Sequence, residues 1–299
     1  LRKHLPVDLI SVDSAQVYSQ LDIGSAKPDA TTLTEHPHRL IDIRDPAEAY
    51  SVAEFLKDAT EQMAEITAAG RIPLLVGGSM LYFKILLKGL SDLPEANQGV
   101  RDQIQQRADE FGWPSLYDEL KQIDPQTAAK IHPNHSQRIQ RALEVYQLTG
   151  MSMSHLQAAA SNNGVLDYYS VVQFSLIFDD RALLHRRIEQ RFEQMMSSGL
   201  LAEVVGLHER EDLNTDLPSM RAAGYQQIWQ HLDGQCTLEE AVERSIVASR
   251  QLAKRQITWL RNWPNAHEIQ VDDGQTYISL ENSCKQCLKI LSQHSILRS

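Results

Sequence analysis

Short apolar segments that end at an acidic residue or at glycine recur in the first third of the chain. Residues 9–12 (LISV) are mostly apolar or β-favouring and lead into Asp13. Residues 38–43 (HRLIDI) and 72–76 (IPLLV) have a similar character, and the last of these segments runs into Gly77. Runs of this length, bounded by turn residues, are typical of short buried strands. We therefore predict three strands here.

A helix is predicted between the second and third of these strands. Ser51, followed three residues later by Glu54, has the pattern of a capping box, and the helix should continue to about Ala69. A strand, a helix and a strand in this order form a βαβ unit with parallel strands. The wholly apolar third strand is typical of a parallel sheet that is covered on both faces.

Sheet signals return in the second half of the chain. Residues 171–178 predict a strand, Asp180 is a candidate cap for the next helix, and residues 267–271 predict a final strand. Arg187 and Arg191 on that helix could reach a phosphate, although an exposed arginine pair is the commoner arrangement. The core stripe of the helix should consist of Leu184, Ile188, Phe192 and Met195.

The middle of the chain has a different character. Residues 94–167 are polar, rich in glutamine and helical in pattern, without strand signals. We interpret them as a helical insertion between two parts of an α/β domain, residues 1–93 and 168–299. Arg138 and Arg141 lie one helical turn apart in this insertion, as either a solvated pair or a phosphate contact. The predicted fold class is α/β, a parallel sheet flanked by helices, with an inserted all-helical domain.

The charge distribution limits the classes of partner. A formal net charge of −10 argues against non-specific nucleic-acid binding, which depends mainly on Lys and Arg. Residues 244–267 nevertheless contain no acidic residue, and we expect a basic ridge on a helix there. Its cations are Arg244, Arg250, Lys254, Arg255 and Arg261.

Two further features of the sequence concern location and metals. No apolar run approaches the roughly 20 residues of a membrane helix, so we expect a cytoplasmic protein. Cys284 and Cys287 form a lone C-x-x-C, and two small residues on one helical turn are the simpler interpretation. A zinc site would need two more nearby ligands, and none is evident in the sequence. No metal site can be assigned from these residues.

Candidate chemistry lies at the predicted strand ends, where open α/β sheets bind their ligands. Asp13 occupies such a position and could take part in chemistry or merely cap a helix. Gly77, Gly78 and Ser79 could bring backbone and a hydroxyl to a ligand, or form a tight turn with a serine cap. Arg221 lies among small residues that would let a ligand approach, and its charged fork suits a diphosphate.

Five sequence blocks resemble those of a known enzyme family. They are DSAQVYSQLDIGSAKP (13–28), GGSMLY (77–82), HPNHSQRIQRALEVY (132–146), SMRAAGYQQ (219–227) and KRQITWLRNW (254–263). In this order, over nearly the whole chain, they resemble the bacterial tRNA dimethylallyltransferases, or tRNA isopentenyltransferases. The resemblance implies a P-loop NTPase-like α/β fold. It also implies transfer of a dimethylallyl group to N6 of an adenine next to the anticodon, at position 37 of tRNA.

The sequence departs from the family pattern in three places. Family members open with a strand, a G-x-x-x-x-G-K-[ST] loop and a helix, whereas this sequence starts at Leu1, in what resembles the tail of that helix. We therefore expect the P-loop amides that cradle a diphosphate to be missing from these 299 residues, which puts turnover by this chain alone in question. Ser79 replaces the usual threonine, and Gln226 replaces a residue that is generally arginine.

The resemblance also implies roles and partners. Asp13 would be the general base, Arg221 would bind the diphosphate and stabilise the transition state, and Ser79 would lie beside the reaction channel as a third catalytic residue. Dimethylallyl diphosphate and a tRNA anticodon stem-loop would be the substrates, with Mg²⁺ as cofactor, and we expect a monomer without a membrane partner.

The residues expected at the tRNA follow from the matched blocks, with Arg101 added beside the channel. They are Asp13, Ser14, Ala15, Gln16, Ser79, Arg101, Gln137, Arg138, Ile139, Gln140, Arg141, Arg221, Ala222, Ala223, Gly224, Tyr225, Gln226, Lys254, Arg255, Gln256, Ile257, Thr258, Trp259, Leu260 and Arg261. Two alternatives stay open. A kinase or nucleotide prenyltransferase of related fold would need neither the insertion nor the basic helix. A non-catalytic RNA-binding relative would bind RNA without forming product.

Overall fold

The computed structural model describes residues 1–91, 93–159 and 164–294. Five strands lie in these ranges: β1 (Val7–Val12), β2 (His38–Arg39), β3 (Ile72–Gly77), β4 (Gln173–Ile177) and β5 (Ala266–Gln270). The helices of the same ranges are α1 (Ala30–Glu35), α2 (Val52–Ala68), α3 (Met80–Lys88), α4 (Gln98–Phe111), α5 (Trp113–Ile123), α6 (Pro125–Ala128), α7 (Ser136–Thr149), α8 (Met153–Ala159), α9 (Arg181–Ser197), α10 (Leu200–His208), α11 (Tyr225–Leu232), α12 (Leu238–Arg261) and α13 (Leu280–Leu291). Short 3₁₀ helices lie at Val165–Asp167 and Ser219–Arg221.

The chain divides into two compact units. The α/β unit comprises Leu1–Leu87 and Val165–Ser299, and the helical unit is Lys88–Gly164. The division falls a few residues before each of the boundaries expected from the sequence. The five strands belong to the α/β unit, whereas α4 to α8 belong to the helical unit.

Two small parallel sheets form the framework of the α/β unit. The first has the strand order β2-β1-β3 and pairs Val12 of β1 with Gly77 of β3. The second pairs β4 with β5. Because β1 and β3 are parallel, their carboxyl ends meet at one edge of the sheet. The predicted α/β class, with a parallel sheet flanked by helices, is confirmed.

Helix α2 begins where the sequence predicted it. The backbone N–H of Glu54 donates to Ser51 Oγ (3.2 Å), and the N–H of Ser51 donates to Glu54 Oε2 (2.7 Å), which completes the capping box. One face of the helix is buried in the core of the α/β unit and consists of Phe55, Ala59, Met63 and Ile66. This spacing of three and four residues is the signature of a helix with one apolar stripe.

Strand β2 is shorter than the six residues predicted. Beyond Arg39 the backbone leaves the extended conformation, because Leu40 and Asp42 have φ values of +64° and +56°. The amides of Ile43 and Arg44 then both donate to the carbonyl of Val17, at 2.9 and 3.1 Å. Pairing with this distant loop replaces the end of the predicted strand.

Strand β3 is also less covered than its apolar sequence suggested. Val76 exposes 47% of its surface, and no residue of the strand is fully buried. Within the described residues β3 pairs with β1 alone and is therefore an edge strand. The prediction of a strand covered on both faces is wrong for the described part of the chain.

The helices of the C-terminal half follow the sequence pattern with one shift. Asp180 caps α9 by accepting from the amide of Ala182 (2.7 Å), as predicted. The buried face contains Leu183 in place of the predicted Leu184, together with the other three predicted residues. Gly199, at φ +104°, separates α9 from α10. None of the helices in the described ranges has both the length and the hydropathy that a membrane span requires.

The helical unit has a core of its own. Its largest buried side chains belong to α4, α5 and α7, whose apolar stripes form one cluster. They are Ile104, Leu116, Leu120, Ile139 and Leu143.

The meeting of β1 and β3 requires glycine at position 77. A Cβ on Gly77 would collide with the carbonyl group of Val12, which is backbone and cannot rotate away. Gly77→Ala should therefore lower the free energy of unfolding by about 3 kcal/mol, by forcing the strand ends apart. The matched control is Gly206→Ala in α10, where nothing lies within 4 Å and alanine should stabilise the helix by about 0.5–1 kcal/mol. Urea unfolding measures both changes, and equal stability of the two variants would contradict the close approach.

Candidate functional site

Asp13 lies directly after β1 with a fixed orientation. Its Oδ1 accepts from the amide of Ala15 (2.8 Å) and from that of Gln16 (3.3 Å). Residues 14–17 form turns, and the next helix begins only at Ala30, so Asp13 caps a turn and not a helix. Oδ2 has no hydrogen-bond partner among the described residues. One oxygen therefore holds the side chain, and the other is available to a ligand.

Ser79 joins the turn after β3 to the turn after β1. Its hydroxyl accepts from the amide of Ser14 (3.0 Å) and donates to the Ser14 hydroxyl (3.2 Å). Its own amide donates to the carbonyl of Val12 (3.2 Å). Two of the sequence blocks thus meet at one edge of the sheet, and Asp13 lies next to this junction in the chain.

Helix α12 reaches the same edge. The side-chain amide of Gln256 donates to the carbonyl of Gly78 (3.0 Å), and a Cβ on Gly78 would displace that amide. One turn away, the half-exposed Trp259 lies with its ring centroid 5.8 Å from Lys84 Nζ of α3. The basic helix is therefore docked against the loop that contains Ser79, with an aromatic face beside it.

Arg191 of α9 is coupled electrostatically to the Asp13 carboxylate. Burial of the guanidinium and the neighbouring Arg187 lower the pKa of Arg191, whereas the Asp13 carboxylate acts in the opposite direction. The side chain keeps accessible surface, so it lies in a crowded but open part of the molecule. No carboxylate within the described ranges is in ion-pair distance of it. The sequence left open whether this pair is exposed or reaches a phosphate, and it did not connect Arg191 with Asp13.

Tyr82 is a second neighbour of Asp13 that the sequence did not single out. Its ring stacks on Phe55 with a centroid distance of 4.2 Å and is almost fully buried. Burial, then the neighbouring Tyr18 and the Asp13 carboxylate, raise the pKa of the Tyr82 hydroxyl. The hydroxyl therefore stays protonated at neutral pH and can act as a hydrogen-bond donor.

Among the described residues, no hydrogen bond or ion pair links Arg221 to Asp13. It ends the 3₁₀ helix Ser219–Arg221, which is anchored by the buried Ser219 hydroxyl donating to the Pro46 carbonyl (2.6 Å). The exposed guanidinium lies 3.8 Å from Asp216 Oδ1. Of the three predicted catalytic residues, the structure thus joins Asp13 and Ser79 through Ser14, and Arg221 stays a prediction.

The polar loop that follows Asp13 is folded upon itself. Gln16 accepts from the Ser11 hydroxyl (3.1 Å) and donates to the carbonyls of Ser25 (3.4 Å) and Ala26 (3.3 Å). Lys27 is 4% exposed, and its Nζ contacts the Tyr18 carbonyl, Asp22 and Asp42. The side chains of Gln16 and Lys27 are therefore occupied with fixing the loop. Contact of Gln16 with RNA stays a prediction.

Three other residues predicted to contact RNA are buried. Tyr225 is 0% exposed and its hydroxyl donates to Glu203 (2.5 Å). Burial, then the Glu203 carboxylate, raise the pKa of Tyr225. Gly224 is buried beside it, and Ile139 lies in the core of the helical unit. Buried residues of this kind can support a neighbouring surface, and their contact with RNA stays a prediction.

A buried carboxylate organises the predicted arginines of the helical unit. Glu144 is 0% exposed and accepts from Arg141 (2.7 Å), Arg101 (2.9 Å) and the amide of Asn97 (2.7 Å). Burial raises the pKa of Glu144, but the hydrogen bonds from Arg141, the Asn97 amide and Arg101 outweigh it and leave the pKa below its usual range. Arg141 is therefore an ion-paired, partly exposed residue and not a free cation.

The remaining predicted cations are exposed. Arg138 on α7 and Lys254, Arg255 and Arg261 on α12 face solvent. Arg250, predicted to extend the same ridge, instead donates to Glu189 of α9 (2.8 Å). The basic ridge is therefore limited to the last two turns of α12, apart from Arg244 further back. Five further residues predicted to contact RNA are partly buried: Ala222, Ala223, Gln226, Ile257 and Leu260.

A parallel sheet whose open edge presents a carboxylate and serine hydroxyls is typical of α/β enzymes, which bind their ligands at strand ends. Comparison with known proteins gives the family. The family model described as IPP transferase matches residues 16–263. The chain belongs to this family of transferases, and the predicted resemblance is confirmed.

Solved structures agree with this assignment. The tRNA isopentenylpyrophosphate transferase of Bacillus halodurans is 36% identical, with 97% of this chain and 89% of that chain covered and a TM-score of 0.68. The tRNA delta(2)-isopentenylpyrophosphate transferase of Staphylococcus epidermidis is 30% identical, with 98% and 92% covered and a TM-score of 0.66. A eukaryotic dimethylallyltransferase acting on tRNA is 22% identical, with 97% and 73% covered and a TM-score of 0.78, a likeness of fold.

Glu144 should be a pH-dependent stabiliser of the helical unit. Glu144→Gln should lower the free energy of unfolding of the helical unit at pH 7 by about 2–3 kcal/mol, because two partly buried guanidiniums lose their charged acceptor. A carboxylate whose folded pKa is lowered stabilises above its unfolded pKa and loses this effect as the pH falls through the folded pKa. The difference between the variant and the wild type should therefore shrink below about pH 4. Hydrogen exchange of the amides in α4 and α7 measures this difference in stability, and Glu110→Gln, at an exposed position, is the control. A difference that does not change with pH would contradict the role of Glu144.

Proposed function

We propose that this protein transfers the dimethylallyl group of dimethylallyl diphosphate to N6 of the adenine at position 37 of tRNA, next to the anticodon. Membership of the IPP transferase family supports this reaction. The observation that carries it is the position of Asp13, whose Oδ1 is fixed by two backbone amides while Oδ2 is left to a ligand.

In this proposal Asp13 is the general base. The lone pair of an adenine exocyclic amine is delocalised into the ring, so the amine is a poor nucleophile. The C–O bond to the diphosphate breaks as the new C–N bond forms, and Asp13 Oδ2 accepts the proton that the amine loses. A base positioned in this way is worth about 10²- to 10⁴-fold in rate. The adenine must leave its base stack to reach a carboxylate at the edge of a sheet.

Charge that develops on the departing diphosphate needs cations. Arg221 is the candidate that the family resemblance suggests, and Arg191 is a second candidate favoured by its electrostatic coupling to Asp13. Arg191 has no ion-pair partner in the described part of the chain, so its donors are available to phosphate oxygens. Ser79 completes the proposed set by holding the turn beside Asp13.

RNA contacts are proposed for the exposed residues of α12 and α7. Lys254, Arg255 and Arg261 can pair with phosphates, and Trp259 offers a half-exposed ring on which a base can stack. Arg138, with its exposed neighbour Gln137, can contribute in the same way from the helical unit. Ser14, Ala15, Gln140 and Thr258 stay predicted contacts of the same kind.

The remaining expectations are also proposals. Mg²⁺ usually binds diphosphate oxygens with one or two carboxylates. No group of three His, Cys, Asp or Glu side chains that could hold a metal ion was found among the described residues. Mg²⁺ as the cofactor stays a prediction. A monomeric state and a cytoplasmic location stay predictions. A non-catalytic RNA-binding relative, which the sequence left open, stays the second candidate.

Replacement of Asp13 tests the reaction. tRNA is incubated with dimethylallyl diphosphate, Mg²⁺ and the protein, both as this chain and extended by a family-type P-loop segment, and its nucleosides are analysed by mass spectrometry. We expect an adenosine heavier by one dimethylallyl group. Asp13→Asn should lower its rate of formation by about 10²- to 10⁴-fold, because the amide cannot accept the proton. The exposed Asp118→Asn is the matched control.

The outcomes of this experiment separate the candidate functions. Binding of tRNA without product from either form would favour the non-catalytic relative. Product formed from a free nucleotide but not from tRNA would indicate a nucleotide prenyltransferase. Full activity of Asp13→Asn would leave the reaction in place but remove Asp13 as its base.

The two candidate arginines can be compared directly. We expect Arg191→Ala to lower kcat by about 10²- to 10³-fold at saturating substrates, since a cation that stabilises developing charge acts in the transition state. Arg221→Ala is measured beside it, and the exposed Arg186→Ala on the same helix is the control. If Arg191→Ala and Arg186→Ala are equally active, the role belongs to Arg221 or to another group.

A further inference from the structure

Glu203 of α10 is surrounded by hydrogen-bond donors. Its carboxylate accepts from the amides of Ile23 (2.7 Å), Gly24 (3.1 Å) and Asp22 (3.3 Å), and from the hydroxyl of Tyr225 (2.5 Å). Successive backbone amides that converge in this way form a nest for an anion, and here the anion is part of the protein. Hydrogen bonds to a charged acceptor are about twice as strong as neutral ones.

The same contact fixes how two sequence blocks pack. A Cβ on Gly24 would lie 2.6 Å from the ring of Tyr225 and 2.8 Å from Leu200 at the start of α10, so the loop lies flat against both. Glu203 therefore joins the loop after β1 to the start of α11. It lies outside the five blocks that carried the family resemblance.

A short chain of hydrogen bonds leads from Glu203 to Asp13. Glu203 holds residues 22–24, and the side chain of Gln16 holds the next two residues of the chain through the carbonyls of Ser25 and Ala26. The backbone amide of Gln16 in turn donates to Asp13 Oδ1 (3.3 Å). Gln16 is thus the one residue that connects the segment after residues 22–24 with the carboxylate of Asp13.

We propose that Glu203 is a positioning residue for Asp13: it sets the loop of residues 13–27 in the conformation that aims Oδ2 at the substrate. The role rests on the proposed function, since it takes Asp13 to be the base. Each of the four groups around Glu203 is a donor, so a glutamine there keeps one acceptor but turns its NH₂ group towards an N–H or O–H.

Two measurements on Glu203→Gln test the proposal, with the exposed Glu209→Gln of the same region as the matched control. Hydrogen exchange of the chain reports on the loop without any need for activity. Loss of one charge-assisted acceptor should make the amides of residues 22–24 and 15–16 exchange about tenfold faster, and leave α2 and α9 unchanged. Glu209→Gln should change neither region.

Single-turnover prenyl transfer at saturating tRNA reports on the base. In the form of the enzyme that is active, Glu203→Gln should lower the rate constant by about 10- to 100-fold at an unchanged amplitude, because the base is misplaced in a correctly folded site. A merely structural role would lower the amplitude, which counts active molecules, and leave the rate constant alone. Tyr225→Phe removes a single donor and should lower the rate constant by a smaller factor. It replaces Glu203→Gln in this test if that variant does not fold.

The outcomes are distinguishable. A normal rate constant with faster exchange at residues 22–24 would overturn the positioning role. Unchanged exchange in both regions would overturn the hydrogen-bond chain itself. If the wild type forms no product, the proposed function fails, and exchange at residues 15–16 still decides whether Glu203 controls the conformation beside Asp13.

Discussion

The close approach of two strand ends is the constraint on which the site depends. Val12 and Gly77 are paired neighbours, and only a residue without a side chain lets the backbone of β3 lie so near the carbonyl of Val12. That contact lets Ser79 reach Ser14, and it gives α12 a carbonyl at Gly78 to bind. Because the carboxylate of Asp13 is one residue from this junction, the accuracy of its position comes from backbone pairing and not from a flexible loop.

Local signals predicted most of the fold. The Ser51 capping box and the Asp180 cap involve residues within a few positions of one another, and both were found from the sequence. Prediction failed at β2, where left-handed conformations at Leu40 and Asp42 depend on partners such as Val17 and Lys27. Burial of β3 also depended on tertiary neighbours that an apolar run does not reveal.

The candidate site was predictable to a smaller extent. Asp13 and Ser79 follow strands, so their shared edge could be inferred from sequence order. Glu203 could not, because its three amide partners lie about 180 residues away and a lone glutamate on a helix resembles any solvated residue. Glu144 did leave a signal: an acid next to Leu143 within the apolar stripe of α7 has to be paired if it is buried. The sequence prediction for Arg101 and Arg141 did not include Glu144 as their partner.

The pairing of Arg101 and Arg141 with one carboxylate changes what these side chains can offer to RNA. Two positive charges and one negative charge leave a single net charge, so the three residues should release fewer counterions than two free arginines. Each guanidinium still has N–H groups that are not used by Glu144, and their directions are fixed. Such a triad can select an RNA by the geometry of its hydrogen bonds while adding little to non-specific attraction, which suits a chain whose net charge is −10.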